Sequence, residues 1–372
     1  MAHRFLLTCG DGVEEVIAAR GLGTGYFPML VNHKGELLLF IRGGAEHVGV
    51  NGRIDLIRSQ DHGRTWSPPR PVARREWADC RDPSVCSTRD GRLVFTYSVM
   101  TGYKLGYVTR PRFADYKFYQ FLEFVFVPEL SEVLRYYTYS DDDGETWKAP
   151  RLLDLKGYKM VSAFAHILEL PDGTLLHPIY GGPRRVEVEG DRVKVYNYEA
   201  YLARSRDGGE SWGDFSLVAK GFGEFSLLEV DGDLIAALRS RRNELYVARS
   251  RDKGYTWSEP VRVGSEVEHP ADLIRLSNGD ILMVFGYRRF PFGVRAILSK
   301  DRGRSWTQER LVLAYDAIGE DCGYPTIVNA DDGKLVLAYY QVGSHTKGLR
   351  ERECAAVCLR FDESTVLRAF GR

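Results

Sequence analysis

Long hydrophobic runs are absent from the 372-residue chain. The stretch 37–41 (LLLFI) is typical and falls far short of the roughly 18–20 apolar residues that a membrane-spanning helix needs. Charge of one sign is not in excess either: 51 basic and 51 acidic side chains leave a formal charge of zero. That balance excludes a general nucleic-acid binder and a surface held to anionic lipid, both of which need a basic surplus. The six cysteines, Cys9, Cys80, Cys86, Cys322, Cys354 and Cys358, show no Cys-x-x-Cys pair and no zinc-ligand spacing. They read as free thiols in a reducing compartment. The opening MAHRFLLTCGDGVEEV sets charges on both sides of a short apolar stretch, unlike a signal peptide. The expectation is a cytoplasmic protein with no membrane or nucleic-acid partner. At 44% hydrophobic and 27% charged residues, the chain has the composition of a folded globular protein.

One pattern dominates what is present. Ser-x-Asp-x-Gly-x-x-Trp occurs at 59–66 (SQDHGRTW), 140–147 (SDDDGETW), 205–212 (SRDGGESW), 250–257 (SRDKGYTW) and 299–306 (SKDRGRSW). Five of the six tryptophans fall in these boxes, Trp77 being the exception. Such a segment predicts a hairpin turn. Ser and Asp bond the turn's own N–H groups, Gly supplies a positive φ, and the indole packs beneath. A second repeat, a turn followed by a strand, places Gly35, Gly91, Gly173, Gly232, Gly279 and Gly333 at separations of 56, 82, 59, 47 and 54 residues. A unit of about fifty residues with two hairpins is one four-stranded propeller blade.

Six units predict an all-β, six-bladed β-propeller forming one domain over 1–372. The last unit has no box, so its closing strands are expected to combine 355–361 with an N-terminal strand near 4–8. This closure would remove exposed sheet edges. The 82-residue separation marks an aromatic-rich insertion in blade two at about 101–135. It suits either packing on a neighbouring blade or second copy of the chain, making a homo-oligomer contact, or a lid over the axial funnel.

The boxes lie on outer hairpins and read as structural; ligand sites in propellers lie at the axis. Counting back from each turn glycine locates the inner-strand starts. These carry Tyr26 in blade one, Asp79, Arg81 and Asp82 in blade two, His166 in blade three and Glu224 in blade four. Blade five brings Glu268, His269 and Asp272, and blade six Asp321 and Tyr324. The second-strand ends add Arg42, Tyr180, Arg239, Arg288 and Tyr340. Polar groups converging on one axis cost stability unless they are paired or hydrated, so a polar funnel that binds a ligand is the economical reading.

Boxes, blade count and axial residues together resemble the sialidase (neuraminidase) superfamily of six-bladed propeller glycoside hydrolases. The segment GEFSLLEVDGDLIAALRS places Glu224 fifteen residues before Arg239, the family's spacing between a glutamate and an arginine that grips the substrate carboxylate. Arg288, with Arg289 or Arg295 as alternatives, matches the blade-five arginine, and Tyr324 matches the nucleophilic tyrosine. The resemblance implies an exo-acting glycosidase without a cofactor, acting on a terminal acidic or polar sugar of a glycan. Tyr324 would be the nucleophile, Glu224 its base, and Arg239 and Arg288 the substrate clamps. A phenol needs an adjacent base and cationic neighbours to act at neutral pH, and arginine clamps a carboxylate better than lysine does.

Two positions depart from the family. Its blade-one arginine is replaced by Tyr26, leaving Arg42 to reach the same space from the next strand. The loop GGAEHVGVNG has no acid/base aspartate, so within it only Glu46 and His47 can donate the proton. Asp55 reads as structural. Arg81, Asp82, His166 and Asp321 complete the set of axial residues expected to bind substrate, and Asp82 is a further candidate acid/base. The scatter of axial acids and histidines offers no ligand spacing for a metal. Two other outcomes are consistent with the residues: a glycan hydrolase or lyase of different specificity built on Asp79, Arg81, Asp82 and His166, or a carbohydrate-binding propeller without turnover.

Overall fold

The Ser-x-Asp-x-Gly turns form as their composition requires. In the first, the Ser59 hydroxyl donates to Asp61 Oδ1 at 2.8 Å and accepts from Gly63 N at 2.7 Å. Asp61 Oδ1 also accepts from Thr65 N at 2.8 Å, and its Oδ2 from the Thr65 hydroxyl at 2.7 Å. The glycine sits at φ 90°, where a side chain would be strained. Each indole then wedges against the preceding blade. Trp147 of the second box, for example, lies 6.1 Å from Phe40 of blade one and 5.3 Å from Phe95 of blade two. Loss of an indole so placed costs about 3–5 kcal/mol.

The computed structural model describes residues 5–7, 12–112, 117–126, 131–182, 185–189, 192–196 and 199–371. Six antiparallel sheets ring one axis. Blade one runs Thr24–His33, Glu36–Gly43, Arg53–Ser59 and Arg70–Ala73 from the axis outward. Blade two runs Asp79–Ser87, Leu93–Met100, Val133–Ser140 and Arg151–Leu153. Blade three has an interrupted inner strand, Val161–Ser162 and Leu168–Glu169, beside Leu175–Gly181, Glu199–Ser205 and Gly213–Lys220. Blade four comprises Phe222–Val230, Asp233–Ser240, Leu245–Ser250 and Val261–Arg262, and blade five Glu268–Arg275, Ile281–Tyr287, Phe292–Ser299 and Arg310–Ala317. Apolar layers between adjacent sheets form the core: Leu30, Leu39 and Ile57 of blade one meet Val336, Ala338 and Cys358 of blade six.

Blade six corrects the expected closure. Cys322–Asn329, Leu335–Val342 and Glu353–Phe361 are completed by Val13–Leu22, not by a strand near 4–8. Val13–Leu22 pairs antiparallel with Glu353–Phe361 from Val13↔Phe361 to Leu22↔Glu353, with one register shift between Ile17 and Ala19, so the long segment wins on hydrogen bonds. Phe5–Leu7 lies instead parallel to Arg310–Ala317 at the edge of blade five. Either way the ring is closed by strands from the two ends of the described chain.

The insertion in blade two forms an antiparallel hairpin, Tyr103–Arg112 with Lys117–Phe126, between the second and third strands. The side chains at 105–130, which would distinguish a lid from a packing arm, lie outside the described residues. Blade three carries a second hairpin at the same place in its topology, Arg185–Glu189 with Arg192–Tyr196, which the repeat spacing had not marked. Antiparallel alternation puts both hairpins on the face where the inner strands begin.

Candidate active site

The axial residues are aimed by a shared irregularity. At its axial end, the inner strand of five blades sets two residues against one of its neighbour: Phe27-Pro28, Asp82-Pro83, Gly223-Glu224, His269-Pro270 and Tyr324-Pro325. Such a bulge bends the strand and re-aims a side chain, and proline suits it because no ladder N–H is required. Phe27, Asp82 and Tyr324 adopt φ of 49°, 52° and 50° there. Bulky residues hold positive φ only where surrounding packing over-determines it.

At this ring the Tyr324 hydroxyl donates to Glu224 Oε1 at 2.7 Å. Arg239 Nη1 donates to Glu224 Oε2 and stands 3.3 Å from the Tyr324 hydroxyl. Asn243 Oδ1 fixes the guanidinium by accepting from its Nε at 3.0 Å and Nη2 at 2.8 Å. Arg288 lies over the Tyr324 ring, Cζ 5.4 Å from the centroid, and its buried Nε and Nη2 have no hydrogen-bond partner among the described residues. Burial drives the Tyr324 phenol well above its ordinary range, reinforced by the Glu224 charge, with Arg239 and Arg288 pulling the other way. The resting group is therefore a neutral phenol poised against a carboxylate. His269, beside these arginines, is kept neutral by burial and their charge, and its Nδ1 has no partner among the described residues.

A cavity of about 170 Å³ opens beside this pair, lined by Arg81, Asp82, Ser162, Tyr180 and Glu224 with Met100, Val133, Met160 and Val161. Arg81 donates from Nε to Asp82 Oδ2 at 3.1 Å, and its Cζ lies 5.0 Å from the Phe27 centroid. A third guanidinium thus reaches the blade-one side of the axis from blade two. Asp82 also accepts from the Ser162 hydroxyl at 2.9 Å. His47 Nδ1 is 2.8 Å from Asp321 Oδ1, which accepts from the Tyr340 hydroxyl at 2.7 Å. The His47 ring stands edge-on to Phe27, whose ring in turn contacts Tyr324 at 5.0 Å.

Other expected residues lie elsewhere. Arg42 is fully buried and bidentate to Asp79, 2.8 Å on each arm, with its remaining donors on the carbonyls of Ala45 and Glu46. It holds the loop that carries His47 and has no face for a ligand. Glu46 turns outward to Arg352. Tyr26 is core, packed 5.3 Å from Tyr340. His166 bonds Thr326 Oγ1 at 2.9 Å and lies 3.2 Å from Asp272 Oδ2. Of the alternative arginines, Arg295 is buried against backbone carbonyls, and Arg289 is exposed 3.5 Å from Glu266. Asp55 is buried against Arg53 at 2.8 Å. Ser162 was not singled out from sequence; the broken inner strand of blade three concealed its place at the axis.

Fold and axial site together define a six-bladed propeller of the Asp-box type. A family model described as a BNR repeat-like domain matches residues 121–337, and the chain belongs to that family. No curated protein matches it. Among solved structures, a protein of unknown function from Dyadobacter fermentans superposes with a TM-score of 0.72 at 22% identity, over 95% of this chain and 100% of that one. A Hadza microbial sialidase gives 0.65 at 20% identity, over 92% of this chain and 66% of its own. The NanB sialidase of Streptococcus pneumoniae gives 0.67 at 15%, over 94% and 70%. At these identities the likeness is one of fold.

Proposed function

We propose that this chain is a sialidase-like exo-glycoside hydrolase that binds a terminal acidic sugar at the propeller axis. The observation that carries the reading is the 2.7 Å hydrogen bond from Tyr324 to Glu224, with Arg239 on the same carboxylate. Arg81, Arg239 and Arg288 supply guanidinium charge for the sugar carboxylate. Tyr324 Oη attacks the anomeric carbon while its proton passes to Glu224. The departing oxygen takes a proton from His47, oriented by Asp321. Water then attacks the same carbon and gives its proton to His47. Tyr324 leaves as phenolate and recovers its proton from Glu224. His47 is preferred over Glu46 as the acid/base because the Glu46 carboxylate is turned toward Arg352. The test is turnover of a panel of chromogenic glycosides, sialosides among them, by the wild type and by Tyr324→Phe. A sugar that binds in calorimetry yet yields no product would instead favour a carbohydrate-binding propeller.

A further inference from the structure

The third strand of blade two buries a complete guanidinium with no carboxylate on it among the described residues. Arg135 is fully inaccessible, and its donors meet neutral acceptors only. Nε faces His177 Nε2 at 3.3 Å, and Nη2 faces Ser84 Oγ at 2.7 Å and Thr96 Oγ1 at 2.6 Å. Nη1 donates to Ser98 Oγ at 3.1 Å and to the backbone carbonyl of Asp82 at 2.5 Å. Burial pulls this guanidinium down to about 9, with the Asp82 charge opposing, so it still carries its proton at neutral pH. A buried charge without a directly bonded counter-ion is a costly way to fill space that an apolar side chain would fill as well.

Two routes out of this network end on Asp82. One is direct, to the carbonyl of a residue held at φ 52°. The other passes from Ser98 Oγ to Ser162 Oγ at 2.9 Å, and from there to Asp82 Oδ2 at 2.9 Å. Asp82 lines the same cavity as Glu224. We propose that Arg135 is a positioning residue: it pins the strained Asp82 bulge so that the Asp82 carboxylate stands in the cavity as a fixed acceptor for a hydroxyl or ammonium group of the substrate. This deepens the glycosidase reading and rests on it for the identity of the ligand. The neutral His177, whose Nδ1 has no partner among the described residues, acts as one of the props of the guanidinium, not as a charge partner.

The test combines a crystal structure of R135Q with kinetics of R135Q, R135K, D82N and R135Q/D82N on a chromogenic sialoside. R135Q releases Asp82 from positive φ and from Ser162. Its KM rises about tenfold, as for D82N, with kcat changed less than about threefold. The double variant is no worse than D82N, and R135K restores part of the loss. An Asp82 conformation unchanged in R135Q, or effects that multiply in the double variant, overturns the proposal. A wild type that turns over no sialoside defeats the functional reading alone, since the R135Q structure, or that of R135K should R135Q not fold, still decides whether Arg135 holds the bulge.

Discussion

Tyr324 and Glu224, one hundred residues apart on blades six and four, share a 2.7 Å hydrogen bond at the axis. No contact within a single blade could make this pair; only ring closure does. Removing the charge on one side tests the relationship. Glu224→Gln keeps the shape but can neither accept the phenolic proton nor pair with Arg239. Its kcat is expected to fall by about 10²–10⁴. Steady-state kinetics on a sialoside checks this, and a fall confined to KM would place Glu224 in binding alone.

His47 as proton donor makes a prediction that depends on the leaving group. His47→Ala should lose far more turnover on alkyl glycosides than on aryl glycosides, whose phenols depart without protonation. Equal losses on both would remove His47 from that role.

Asp321 links this pair to stability. Burial acts to raise its carboxyl, but the hydrogen bonds of His47 and Tyr340 and the charges of His47 and Arg288 leave it below the usual carboxylate range. A depressed folded value contributes stability that is present above the unfolded pKa, near about 4, and is lost as pH falls through the folded one. Asp321→Asn should therefore melt below the wild type at neutral pH, with the gap closing in acid. Thermal melts at a series of pH values check it, and a constant gap would contradict it.

The Arg42–Asp79 pair is wholly inaccessible. Asp79→Ala strands a buried guanidinium and should cost about 3–5 kcal/mol, measured by urea unfolding. A double replacement by apolar residues should recover most of that loss. If it does not, the pair contributes more than mutual neutralisation.

Cys80, Cys86 and Cys322 have thiols pushed up to about 12 by burial, and Cys354 and Cys358 are raised in the same direction for the same reason. In a Cys9→Ser background the native protein should leave Ellman's reagent uncoloured at pH 8 and react fully once denatured. Rapid native reaction would mean that a blade opens readily.

The propeller was legible because turn chemistry is local: the Ser59, Asp61 and Gly63 turn and its four repeats need no distant partner, and their spacing counts blades. Part of the site was legible for a related reason. Phe27, Asp82, His269 and Tyr324 each precede a proline at the same height of an inner strand, so a one-dimensional signal marks the axial bulges. What depends on side-chain direction was not legible. Tyr26 and Arg42 stand in the right strands, yet one is packed into the core and the other is engaged by Asp79, a partner from the next blade. Ser162 escaped notice because blade three interrupts its inner strand, and the closing strand because the expectation took the segment near 4–8 in place of Val13–Leu22.

The most direct measurement is the turnover of chromogenic sialosides by Tyr324→Phe beside the wild type. A nucleophilic role predicts wild-type hydrolysis and a loss of about three orders of magnitude or more in kcat for the variant, with its fold and melting temperature preserved. Turnover in the variant close to that of the wild type would contradict it.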